Sequence, residues 1–173
     1  MDPKVVLVVC NGNIHRSVIA EICINQELKK SGLENNIRCV SRGLQGTAGT
    51  PLPTGKNLRD YPKEWSLTKP VLDRLGIEIP ESQQSTPVDA IIVRDATLIL
   101  AMDEGVLRNH SNSMLSQFPE HHHKMRSFGE LIGNAEDVPD CFGSENPDLH
   151  ELVNNSIHRI IIEGLDKLIS FVQ

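Results

Sequence analysis

The stretch VVCNGNIHRSV, residues 8–18, sets Cys10 and Arg16 at the two ends of a short polar turn. A thiolate is a nucleophile, and a guanidinium is a planar fork of donors that matches the oxygens of a phosphate. Gly12 and Asn13 are residue types that accept left-handed backbone angles, so the turn between them can curl with its amides facing inward. Amides that converge at the mouth of a helix make an anion cradle. With Cys10 on its floor, the amides and Arg16 would stabilise the thiolate and meet the charge of a phosphoryl group without metal or other cofactor. The chemistry implied is in-line attack of sulfur on phosphorus. Ser17 adds a hydroxyl able to donate to the sulfur, which makes it a better leaving group in a second step.

Such a turn must be held between a strand and a helix. KVVLVV, residues 4–9, is β-branched and does not alternate, as a parallel strand buried on both faces should be. SVIAEICINQELKK, 17–30, has apolar residues at helical spacing, with Ser31-Gly32 as its stop. NIRCVSRG (36–43) and DATLILAM (95–102) read as two further strands, and WSLTKPVLDRLGIEI as a helix ending at Gly76 whose regular part Pro70 delays. DEGVLRNHSNSMLSQF (103–118) is expected to be helical, HKMRSFGELI is ambiguous between strand and loop, and LHELVNNSIHRIIIEGLDKLISFV is a long closing helix. AGTPLPTGKNLRDYP, 48–62, is rich in Pro, Gly and Thr and reads as a long surface loop. Strands alternating with helices imply a parallel α/β sheet with helices on both faces.

Length and charge narrow the function. The chain of 173 residues suits one domain, 1–173, and its few aromatics leave an aliphatic core. A net charge of −6 argues against a nucleic-acid footprint, although a local positive pocket for a small anion is compatible with it. The chain has no secretory signature and no apolar run near the roughly 20 residues that span a bilayer. A cytoplasmic protein, not membrane-bound, with reduced cysteines is expected. Its four cysteines, Cys10, Cys23, Cys39 and Cys141, form no CxxC pair. His121, His122 and His123 are adjacent, so their rings diverge and read as a solvated loop and not as a metal site.

VVCNGNIHRSVIAE resembles the N-terminal signature of the low-molecular-weight protein tyrosine phosphatases, V-C-x-G-N-x-C-R-S-P. VSRG at 40–43, DATLILAMDEGVLRN and EDVPDCFG at 136–143 are similar to that family's later motifs. The resemblance implies a three-layer α/β/α fold on a four-stranded parallel sheet, with the phosphate loop between strand 1 and helix 1. It implies a phosphocysteine intermediate on Cys10, with Arg16 clamping the phosphate. It places the general acid on Asp140, for which Asp137 competes on residue type alone. It makes Asn13 and Ser41 supports of the loop, which also includes Asn11, Gly12, Ile14 and His15. Ile14, at the position facing the substrate, favours phosphotyrosine, whereas the arginine-phosphate branch typically has Thr there. Substrates would be phosphorylated proteins or small phosphomonoesters, and the protein a monomer or weak dimer.

Four departures stand out. His15 replaces the family's second loop cysteine, Val18 its Pro after Arg-Ser, and Cys141 a Pro in the acid loop. Of the usual aromatic pair only Phe142 remains, and Trp65 or Tyr61, from the long loop at 46–65, is a candidate for the missing wall of the substrate groove. Alternative readings are a protein-arginine phosphatase of the same fold and a silent anion-binding module, which would need no acid. An arsenate reductase would need two relay cysteines, and the stretch IEIPESQQSTPVDA holds none.

Overall fold

KVVLVV forms most of β1 (Lys4–Cys10), with β2 (Ile37–Gly43) on one side and β3 (Ala96–Ala101) on the other. A short β4 (Met125–Ser127) pairs with β3, so the order is β2-β1-β3-β4, with every pairing parallel. In this computed structural model residues 1–44, 55–133 and 136–173 are described. Val6, Val8 and Cys10 face a core completed by α1 (Arg16–Lys30), α2 (Pro62–Leu75) and α5 (Pro147–Val172). Val5, Leu7 and Val9 face the opposite core, closed by α3 (Ala90–Asp95) and α4 (Met114–Gln117). This two-sided burial is why β1 shows no alternation.

The elements differ from the sequence expectations where tertiary packing outweighs local preference. The helix begins at Pro62, where a missing N–H costs nothing, and runs through Pro70 to Leu75. Burial of Glu64, Thr68, Val71 and Leu72 holds it together across Pro70, and Gly76 at φ 70° ends it. The segment 103–118 is not one helix: a π-helical turn (Gly105–Asn109) gives way to α4, which Ser113 caps by accepting the Ser116 N–H. The six-residue α3, capped by Asp89, is too short to show a period. HKMRSFGELI divides into β4 and a 3₁₀ turn, Phe128–Ile132. Of the expected loop, 48–54 lies outside the described residues, and Leu58–Asp60 forms a 3₁₀ turn closed by an Asn57–Asp60 capping box. No described helix is long and apolar enough to cross a membrane.

Candidate active site

Cys10 ends β1 and Arg16 begins α1, so the turn between them is pinned at both ends by regular structure. Its left-handed residue is Asn13, at φ 52°; Gly12, expected to share that role, does not adopt a positive φ. Asn13 tolerates the conformation because its side chain is fully used. Nδ2 donates to Ser17 Oγ and to Ser41 Oγ, both at 2.9 Å, and Oδ1 accepts the Thr86 N–H at 2.8 Å. Ser17 Oγ therefore already accepts one hydrogen bond, and it lies 2.9 Å from Cys10 Sγ, within reach to donate its own hydrogen to a thiolate there. The Asn13 N–H lies 3.2 Å from the same sulfur. Ser41 Oγ passes its hydrogen to Glu21, whose carboxyl is pushed up by burial against the opposing pull of that bond. The Asn13 amide thus donates in two directions, through Ser41 to the carboxyl of Glu21 and to the Ser17 hydroxyl beside the sulfur of Cys10.

Arg16 is buried, at 2% exposure, and a buried guanidinium must be paired. Nη1 donates to Asp103 Oδ2 at 2.7 Å and to the Val138 carbonyl at 2.8 Å. Asp103 is itself oriented, since its Oδ1 accepts the Val106 N–H at 2.8 Å. Burial alone would lower the Arg16 pKa, but Cys10, Asp140 and Asp103 outweigh it and raise the value. Nη2, also buried, makes no hydrogen bond among the described residues and stands 3.5 Å from Asp140 Oδ2. The arrangement leaves one donor of a fixed guanidinium for an anion held over Cys10.

The segment carrying Asp140 is anchored by distant elements. The Val138 N–H reaches the Met102 carbonyl, the Gly143 N–H donates to Glu64 on α2 at 2.6 Å, and His150 Nε2 on α5 lies 2.8 Å from the Ser144 carbonyl. Asp140 is exposed, with Oδ1 accepting the Phe142 N–H and Oδ2 turned toward Arg16. Asp137, the rival acid, spends its Oδ1 on the Glu104 N–H at 3.0 Å. Phe142, 41% exposed, meets Tyr61 edge to face, with ring centroids 5.0 Å apart. Trp65 does not join this pair; Arg59 covers its ring at 4.5 Å, and it packs against the core. Of the two candidate walls, Tyr61 is the one beside Phe142.

The remaining loop residues take separate places. Ile14 is half-buried and packs against the core, and a Cβ on Gly12 would lie 3.6 Å from its Cδ1. Asn11 keeps a buried Oδ1 without a hydrogen bond among the described residues. His15 turns its ring away from the cradle, to Asn154 on α5 and to Cys141. His121 to His123 lie on an outlying 3₁₀ turn (Pro119–Lys124) with the rings of His122 and His123 perpendicular.

A family model described as low molecular weight phosphotyrosine protein phosphatase matches residues 5–168. The chain belongs to that family. The catalytic cysteine and arginine of these phosphatases are present as Cys10 and Arg16. Among solved structures, a low molecular weight protein tyrosine phosphatase from T. tengcongensis is 24% identical, with 95% of this chain and 99% of that one covered at a TM-score of 0.74. A YwlE mutant from Bacillus subtilis is also 24% identical, with 95% and 98% covered and a TM-score of 0.73. The YwlE arginine phosphatase from Geobacillus stearothermophilus is 22% identical, with 97% and 94% covered and a TM-score of 0.73. At these identities the likeness is one of fold. No curated protein sequence matches the chain.

Several residues of the site were not singled out from sequence. Asp103 and Glu21 lie inside recognised motifs without an assigned role, whereas Glu64, Thr86, His150 and Asn154 carry no local signal. They are brought to the site from α1, α2, α5 and the segment before α3.

Proposed function

We propose that the protein is a phosphotyrosine phosphatase working through a phosphocysteine on Cys10, with Asp140 as its general acid and base. The observation that carries the reading is the convergence of Arg16 Nη2 and Asp140 Oδ2, 3.5 Å apart, beside the sulfur-directed donors of Ser17 and Asn13. In the first step Cys10 Sγ attacks phosphorus, the P–O bond to the leaving group breaks, and Asp140 gives its proton to the departing oxygen. In the second, Asp140 takes a proton from water as the water attacks phosphorus, and the P–S bond breaks to return the thiolate. The Ser17 hydroxyl and the Asn13 N–H stabilise that leaving sulfur, while Arg16 meets charge on the transferred oxygens.

The preference for an aryl ester rests on the rim. Ile14, half-buried, stands at the loop position that the family resemblance assigns to the substrate side, and the edge-to-face Tyr61–Phe142 pair offers exposed aromatic surface against which a phenyl ring packs well. The deciding experiment compares kcat/KM on phosphotyrosine, phosphoarginine and phosphoserine peptides. Phosphotyrosine is expected to lead, and a lead by phosphoarginine overturns the substrate assignment while leaving the phosphocysteine mechanism standing. Loss of all three rates in Cys10→Ser is expected; retention of any of them overturns the mechanism.

A further inference from the structure

His15 and Cys141, both departures from the family motifs, meet each other. Cys141 Sγ lies 3.4 Å from His15 Nδ1, and His15 Nε2 lies 2.8 Å from Asn154 Oδ1. The direction of these bonds is set from α5. Asn154 Nδ2 donates to the His150 carbonyl at 2.7 Å, so Oδ1 is the atom presented to His15. Nε2 must then carry the imidazole hydrogen, Nδ1 keeps its lone pair, and the Cys141 S–H is the donor that fills it. All three side chains are buried, so none of these bonds has water as a ready substitute.

Both groups stay neutral in this arrangement. Burial, aided by the Arg16 charge, outweighs the bond to Asn154 and pushes His15 down to about 4. Burial together with the Asp140 and Glu64 carboxylates pushes the Cys141 thiol up to about 12. The contact is therefore an ordinary hydrogen bond and not a thiolate–imidazolium pair, and it does not make Cys141 a second nucleophile.

Its place in the chain gives it a use. His15 directly precedes Arg16, and Cys141 directly follows Asp140. The bond thus joins the backbone beside the guanidinium to the backbone beside the carboxylate, at a point where Asp140, Phe142 and Gly143 are all exposed. We propose that His15 and Cys141 are positioning residues whose buried S–H to Nδ1 hydrogen bond holds Asp140 in register with Cys10 and Arg16 for proton transfer. The proposal rests on the phosphatase reading above and goes beyond it, because it assigns a task to the two side chains that point away from the cradle.

A misplaced acid has a distinct kinetic signature. Phenolate, with a pKa of about 10, needs its proton as it leaves, whereas p-nitrophenolate leaves readily without one. Cys141→Val removes the donor but keeps a small apolar side chain, Cys141→Ala reads the same loss if valine does not fit, and Cys141→Ser returns a donor. We expect kcat/KM on phenyl phosphate to fall about tenfold further than on p-nitrophenyl phosphate in the valine and alanine variants, a fraction of the whole general-acid effect. Inhibition by inorganic phosphate should stay within about twofold of wild type, since the cradle is intact, and serine should recover most of the phenyl phosphate rate. Equal losses on both esters, wild-type rates in the valine variant, or no recovery by serine overturn the positioning role alone. A wild-type protein inert toward both esters overturns the phosphatase reading and this proposal with it.

Discussion

The phosphate loop and the loop that carries Asp140 face each other across one site and are built in opposite ways. From Cys10 to Ser17 the bonds that shape the loop are short in sequence: Asn13 N–H to Cys10, Ser17 to Cys10, Asn13 to Ser17. Its ends belong to a strand and a helix, and its members are mostly buried. From Asp137 to Ser144 the chain has no regular structure, and its anchors are Glu64, His150, Met102 and His15, each from another element. The first loop carries much of its own geometry, with Asn13 also tied to Ser41 and Thr86. The second borrows its geometry from the rest of the fold, which suits the proton transfers proposed for Asp140 beside solvent.

This contrast leads to measurable differences, largest first. Cys10→Ser should lower kcat on p-nitrophenyl phosphate by about 10⁴-fold or more, because the nucleophile is gone while the cradle remains. Inorganic phosphate should still bind, as isothermal calorimetry would read. Asp140→Asn should lower kcat/KM on phenyl phosphate by about 10²- to 10³-fold, the scale of a lost general acid, with inhibition by phosphate little changed. An unaltered rate would assign the acid elsewhere, with Asp137 next in line. Asn13→Ala strikes the phosphate loop: it deletes two buried hydrogen bonds and a part-buried one, and leaves alanine at φ 52°. Urea unfolding should show a loss of about 3 kcal/mol.

The pH dependence of stability tests a junction between the two loops. Unfolded, His15 takes up a proton near its ordinary value, and folded only near 4, so between those values the unfolded chain binds more protons. The native state therefore keeps its full stability above pH 6.5 and loses about 2.5 kcal/mol through this group by pH 4.5. His15→Asn should lose that much less than wild type between pH 7 and 4.5 in urea titrations; an identical slope would mean the ring is not buried neutral. The smallest effect is expected at a borrowed anchor. Glu64→Ala removes the acceptor of the part-buried Gly143 N–H, at the edge of an exposed loop, so the cost should be about 1 kcal/mol in stability. The loss on phenyl phosphate should be only about threefold in kcat/KM, since the other anchors of the acid loop remain.

The same contrast explains what was legible from residue order. The nucleophile, the clamp, the serine donor and the asparagine support lie within eight consecutive residues, and strand-turn-helix patterning on both sides gives them one arrangement. Gly12 shows the limit of that reading, because residue type permits a positive φ without requiring one. The aromatic wall shows it again. Tyr61 and Trp65 were equivalent by composition, and the start of α2 at Pro62 put Tyr61 on Phe142 and Trp65 under Arg59. His15 and Cys141 each read as isolated departures from a motif, and their contact spans a sequence separation that no local pattern encodes.

Sequence alone determined the chemistry on offer here: a buried strand delivering a cysteine, a turn able to curl, an arginine at the head of a helix, and an aspartate in a later loop. Those features follow from residue type and from spacing over a few positions, where the backbone leaves few alternatives. Tertiary structure decided how the pieces are aimed. It paired Arg16 with Asp103 and the Val138 carbonyl, turned Asp140 toward the remaining donor, and closed the acid loop on to His15 through Cys141. Buried charges and hydrogen-bonding groups take whichever partner the packed sheet and helices bring within reach, and that partner is set by the whole fold and not by neighbours in the chain.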